Sequence, residues 1–104
     1  MTLVIAHRGN SSAAPENTFA SFDSAIEHGV TLVECDVQMT ADGHIVVIHD
    51  PTLDRTSDRA GDVRSLSLAE VRAADVSCPK TFGGAFSPQR VATLGELLAH
   101  LKGR

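Results

Sequence analysis

The sequence contains no tryptophan and no tyrosine, and its four aromatic residues are all phenylalanine. Single-stranded nucleic acid is gripped by aromatic platforms on which bases stack, so that function class is disfavoured from the start. Positive charge is scarce too: nine Lys and Arg face thirteen Asp and Glu, for a formal net charge of −4. That balance cannot build a broad surface for a phosphate backbone. Any anion has to be caught locally, by a few placed cations or by a metal. Cysteine is limited to Cys35 and Cys78, too few and too far apart for a disulfide framework or a zinc ribbon, and both read as reduced, buried thiols. Long apolar runs are missing as well. The run of residues 3–6 is far short of a signal-peptide core or a membrane span, so the expected location is the cytoplasm.

What is present is ordinary for a globular domain: 42% hydrophobic and 21% charged residues in a chain of 104. That length supports one small domain with a real core, but not a large enzyme barrel. Residues 2–6 read as a strand, continuously apolar and therefore expected to be buried on both faces, as in a parallel sheet. Phe19, Phe22, Ala25 and Ile26 then recur at helical spacing, with Asn17 as the expected N-cap and Gly29 as the stop. A second strand is expected from residue 31 to about 39. The turn around Asp42-Gly43 leads into a returning strand over residues 44–49. That connection is too short for a parallel crossover, so the two strands must be antiparallel. Positions 34 and 36 then lie opposite residues 48–50, and Glu34, Asp36 and His49 can meet at one end of the hairpin. Capping boxes at Ser67/Glu70 and Thr93/Glu96 predict two further helices. The second carries a stripe of Leu94, Leu97, Leu98 and Leu101 and ends at Gly103.

Glu34 and Asp36 are two apart on a strand, so both point to one face, while Val33, Cys35 and Val37 point into apolar packing on the other. Two adjacent carboxylates repel unless a cation lies between them. An oxygen-only donor set suits Mg²⁺ or Ca²⁺. A solvated strand face paired with Arg or Lys satisfies the same spacing. His7 and His49 each end an apolar strand, and histidine titrates where proton transfer to a reacting oxygen is useful. Arg8 adds a fork that fits phosphate, although a structural salt bridge is an equal reading of that residue alone. Two imidazoles, one guanidinium and two metal-ready carboxylates together form a kit for cleaving a phosphodiester. His28, His44 and His100 lack such company and read as surface or helix-end residues.

The segments AHRG, APENT, ECDVQMTADGHIVVIHD and LDRTS, in this order, resemble the successive signatures of the glycerophosphodiester phosphodiesterase family. FGGAFSPQRVATLGELL is similar to a weaker family segment that follows. The resemblance implies an α/β fold, the N-terminal portion of a TIM-type (β/α)8 barrel, and hydrolysis of glycerophosphodiesters to glycerol 3-phosphate and an alcohol. It also implies His7 and His49 as the acid–base pair, Arg8 as a phosphate ligand, and Glu34 and Asp36 as ligands of a divalent cation, Mg²⁺ or Ca²⁺. HRG would then be the tip of the first barrel strand, at the end of a barrel where active sites lie. Glu16 and Asn17 are expected to brace the loop and cap the next helix, with no part in the chemistry.

A TIM barrel takes about 250 residues, so at 104 the domain is expected to be incomplete, with the third carboxylate ligand implied by the family beyond Arg104. The expected origin is a fragment of a longer product or a truncated reading frame. A metal- or phosphate-binding remnant without turnover, and a related phospholipase-type phosphodiesterase, are the alternative functions. Unpaired strand edges are expected to favour self-association.

Overall fold

The computed structural model describes residues 5–103; residues 2–4 of the expected first strand lie outside them. Within these bounds the first strand, β1, is Ile5–His7, and helix α1, Phe19–Glu27, joins it to β2, Leu32–Glu34. β1 and β2 are parallel, with Ile5 beside Leu32, Ala6 beside Val33 and His7 beside Glu34. This strand–helix–strand unit is the α/β opening expected from the sequence.

α1 starts one residue later than expected. Its N-cap is Thr18, whose hydroxyl accepts from the Ser21 N–H while the Ser21 hydroxyl accepts from the Thr18 N–H. Asn17 is left out because its backbone is left-handed, φ 57°, and its amide is used elsewhere. At the far end Gly29, at φ 80°, donates to the Ile26 carbonyl and stops the helix as predicted.

The single strand expected over residues 31–39 is two strands. After β2 the chain breaks pairing at Cys35–Asp36, and β3, Val37–Met39, pairs antiparallel with β4, Ile45–Val47. The returning strand is thus shorter than residues 44–49. The register sets Val37 opposite Val47 and Met39 opposite Ile45, and the Ile48 N–H donates to the Asp36 carbonyl at 2.9 Å. Residue 36 therefore does lie opposite 48. Between the strands Gly43 takes φ 84° and the Thr40 hydroxyl accepts the His44 N–H at 3.0 Å.

β4 holds the interior together. Side chains of β4 and of Ile48 just after it alternate between two apolar clusters, Val46 and Ile48 packing with Leu53, Val63, Val71, Ala74, Val76 and Val91. Val47 points the other way, onto Phe22 and Leu97. Val33 and Cys35 pack against this second cluster, as expected, but Val37 does not and is exposed. β1 and β2 are not covered on both faces: Ile5 is 60% exposed and Leu32 43%.

Helices α2, Leu68–Arg72, and α4, Leu94–Leu101, start at the two capping boxes read from the sequence. On α4 the packed face is Leu94, Leu97 and Leu101. Leu98, expected with them, turns outward and is 60% exposed. α3, Pro79–Phe82, is a short helix begun by proline.

The loop after β1 is clamped to the first turn of α1. Asn10 N–H donates to the Ser21 carbonyl, the Ser21 hydroxyl donates to the Arg8 carbonyl, and Asn17 N–H also donates to it. Gly9, at φ 77°, sits so close that an added Cβ would lie 2.5 Å from Ser21 Oγ and 2.9 Å from the Phe22 nitrogen. Gly43 has a similar φ of 84° but open space around it. Gly9→Ala is therefore expected to cost at least about 3 kcal/mol, against about 1–2 kcal/mol for Gly43→Ala. Urea denaturation of both variants measures this, and equal losses would mean that the contact with α1 adds nothing.

Candidate active site

The sequence-predicted residues converge where β1 ends and β2 gives way to β3. Because His7 and Glu34 are neighbours in the parallel register, their side chains share a face, and His7 Nε2 lies 3.2 Å from Glu34 Oε2. Arg8 follows at φ 56°, a conformation rare for a side chain of its size. Its Nη1 donates to Glu16 Oε2 at 3.2 Å, and its Nε lies 3.2 Å from Asp36 Oδ2. Asn17, also left-handed, donates its amide to the same Asp36 oxygen at 3.2 Å. Four of the five predicted residues thus meet in two pairs, His7 with Glu34 and Arg8 with Asp36.

His49 joins them through residues to which the sequence assigned no chemistry. Its Nδ1 lies 2.7 Å from Asp50 Oδ1. Arg55 grips Asp50 through Nε at 2.8 Å and Nη2 at 3.0 Å. The same guanidinium grips Glu16 through Nη1 at 2.7 Å and Nη2 at 3.0 Å. Glu16 is the carboxylate that also holds Arg8, so an unbroken chain of ion pairs runs from Asp36 to Asp50, which contacts His49. Asp50 and Arg55 stand in the IHD and LDRTS segments, where adjacency to His49 was the one local signal. The 39-residue separation of Arg55 from Glu16 leaves none.

Two polar atoms among these residues are buried without a hydrogen-bond partner: Arg8 Nε, a donor, and Glu34 Oε1, an acceptor. Arg8 Nε is near enough to Asp36 for charge attraction, but its N–H is not aimed at the carboxylate. Orphaned buried groups of this kind each cost about 1–3 kcal/mol, so a fold retains them where something else completes them. Here a donor suits an oxyanion and a carboxylate oxygen suits a hard cation. Glu34 and Asp36 are thus a donor set of the right chemistry for Mg²⁺ or Ca²⁺. Among the described residues no group of three or more His, Cys, Asp or Glu is arranged to hold a metal. A cavity of ≈ 830 Å³ lined by Phe19, Arg72, Arg90, Glu96 and His100 touches none of these residues. The candidate chemistry sits at the open strand ends instead, and no helix among the described residues is long and apolar enough to cross a membrane.

The Arg55 guanidinium, helped by the His49 imidazole and opposed by burial, holds the Asp50 carboxyl at about 2. Folding therefore favours the ionised form. The resulting stability, about 2 kcal/mol, is fully present above about pH 4 and is lost as pH falls through the folded value. Asp50→Asn is expected to be less stable than the wild type by about that amount at pH 7, the gap shrinking below half by about pH 2.5. Urea unfolding at both pH values measures it; an undiminished gap in acid would mean that the charge of Asp50 is not what stabilises the fold.

Comparison with known proteins bears on the same residues. The sequence matches the glycerophosphoryl diester phosphodiesterase family over residues 7–104. It is 49% identical over 96 residues to a glycerophosphodiester phosphodiesterase of Caldanaerobacter subterraneus subsp. tengcongensis, covering 92% of this chain and 39% of that protein. A glycerophosphodiester phosphodiesterase structure from Agrobacterium tumefaciens str. C58 superposes with a TM-score of 0.92 at 41% identity, covering 99% of this chain and 44% of its own. An Oleispira antarctica phosphodiesterase, solved with the product sn-glycerol-3-phosphate, gives 0.88 at 39% identity, covering 95% of this chain and 39% of its own. The chain spans about two fifths of the length of these relatives. Its α/β architecture is the one expected for part of their TIM-type barrel. A likeness that runs from His7 through every candidate site residue leaves one assignment: the chain belongs to the glycerophosphoryl diester phosphodiesterase family.

Proposed function

We infer that the protein acts as a phosphodiester hydrolase on glycerophosphodiesters, releasing glycerol 3-phosphate and an alcohol. The observation that carries this reading is the pair of orphaned atoms. A buried, unsatisfied N–H on Arg8, beside Asp36, and a buried, unsatisfied oxygen on Glu34, beside His7, belong to the two pairs of predicted site residues. A phosphodiester oxygen suits the Arg8 donor, and a cation associated with it suits the Glu34 acceptor. A relative solved with sn-glycerol-3-phosphate supports the same substrate class.

In this reading Arg8 receives the phosphate. Glu16 and Asp36 hold its guanidinium from two sides and leave its Nη2 and the orphaned Nε to donate to non-bridging oxygens. Glu34 and Asp36 would hold a divalent cation, which supplies a Lewis acid that offsets charge building on the phosphoryl oxygens. His7 and His49 are exposed at the mouth, where one withdraws a proton from the attacking water and the other returns one to the leaving alcohol. Asn17 fixes the Asp36 carboxylate and touches no reacting atom.

In an enzyme whose barrel includes these residues, His7→Ala or His49→Ala is expected to lower kcat on glycerophosphocholine by about 10²–10⁴-fold, with Ca²⁺ affinity largely kept. A variant that retains near-full rate removes that histidine from the acid–base pair.

Two carboxylates offer at most four oxygens, whereas Ca²⁺ takes about 6–8, so Glu34 and Asp36 by themselves should bind it weakly. Calorimetric titration of the 104-residue chain with Ca²⁺ and Mg²⁺ is expected to show weak binding, lost in Glu34→Gln and in Asp36→Asn. Unchanged affinity in both variants would remove the cation from these residues.

A further inference from the structure

We propose that Arg55 is a positioning residue, which clamps Glu16 and Asp50 together so that His49 is held in one tautomer with its Nε2 presented to the site. The proposal rests on the function inferred above only in naming what the presented nitrogen serves; the geometry stands without it.

An ionised carboxylate has no hydrogen to give. Asp50 is ionised throughout the working range, so the hydrogen in the 2.7 Å contact with His49 belongs to the imidazole Nδ1. The neutral ring therefore carries its proton on Nδ1, and Nε2 keeps the lone pair. A carboxylate on a freely rotating side chain would impose no such order, because the His49 side chain is 43% exposed. Two restraints supply it. The Gln38 amide donates to the His49 carbonyl at 2.9 Å and fixes the backbone from β3. Arg55 takes both oxygens of Asp50 in one planar fork. The fork cannot swing, because its other edge is bound to both oxygens of Glu16.

Glu16 is the stiffer end of this clamp. Its side chain is only 12% exposed, it belongs to the loop locked onto α1, and it holds Arg8 as well. One guanidinium thus ties the loop after β1, which carries the phosphate ligand, to the segment after β4, which carries His49. Lysine cannot replace it, since a single ammonium has no planar fork with which to hold two carboxylates bidentately.

The test reads the imidazole directly and needs no turnover, so its failure is separate from failure of the inferred activity. Long-range ¹⁵N–¹H correlation spectra of the 104-residue chain are recorded at a pH where imidazoles are neutral. His49 is expected as a single Nδ1–H tautomer in the wild type and chiefly Nε2–H in Asp50→Asn. Arg55→Lys and Glu16→Gln should each give a mixture, the second acting from the opposite side of the clamp. Arg64→Lys, at an exposed arginine 4.0 Å from Asp62, should leave the ring unchanged. A mixed tautomer in the wild type overturns the proposal, as does an unmoved ring in Arg55→Lys or a moved one in Arg64→Lys. If Arg55→Lys fails to fold, Glu16→Gln decides in its place. In an enzyme that turns over, Arg55→Lys should lower kcat by about 10–100-fold with KM little changed.

Discussion

Asn17 uses its amide on Asp36, donating from Nδ2 to the carboxylate and accepting the Asp36 N–H on Oδ1 at 3.4 Å. Much else depends on this cross-link. It occupies the backbone donor that would otherwise continue a ladder, and so coincides with the break that turns one expected strand into β2 and β3. It joins the loop after β1 to the point where the hairpin departs from the parallel pair. Asn17 reaches Asp36 from left-handed backbone, which an asparagine tolerates better than most residues. With Arg8 and Gly9 also at positive φ, the loop turns back on itself and brings both the Arg8 head and the Asn17 amide to one carboxylate.

Exposed ion pairs usually contribute little, because solvent screens them and long side chains lose entropy in holding them. The chain of Arg8, Glu16, Arg55 and Asp50 differs in geometry. Arg55 is half exposed, but its carboxylate partners are only 12% and 22% exposed, and each is held by two hydrogen bonds. A protein with a net charge of −4 here sets two of its few arginines among three carboxylates, Glu16, Asp36 and Asp50. The arrangement stabilises the site and leaves cationic surface elsewhere sparse, in keeping with a small anionic ligand rather than a polyanion.

β4 explains why so short a sheet can organise a core. Val46 and Val47, with Ile48 just after the strand, are at most 4% exposed, packed on both sides by the two apolar clusters. β1 and β2 carry the site on the less protected side, where Ile5 and Leu32 stand open. Their register still places His7 beside Glu34, because a parallel ladder aligns residues by backbone hydrogen bonds and not by what covers them.

Local chemistry determined much of this in advance. Capping boxes at Ser67 and Thr93 start helices because their hydrogen bonds close within four residues. Gly29 ends α1 and Gly43 turns the hairpin because only glycine enters those backbone regions without strain. The hairpin spacing set residue 36 opposite residue 48, and the family likeness followed from motifs in order. Tertiary structure decided the rest. Thr18, not Asn17, caps α1, because Asn17 is claimed by a residue 19 positions away. Leu98 leaves the apolar stripe because the packed arc of α4 is set by where Phe22 and Val47 lie. Glu16 and Arg55, 39 residues apart, become partners only when the loop after β1 folds back beside the segment after β4. A local pattern reports what nearby backbone can satisfy; a charge in a loop takes whatever partner the fold brings within reach.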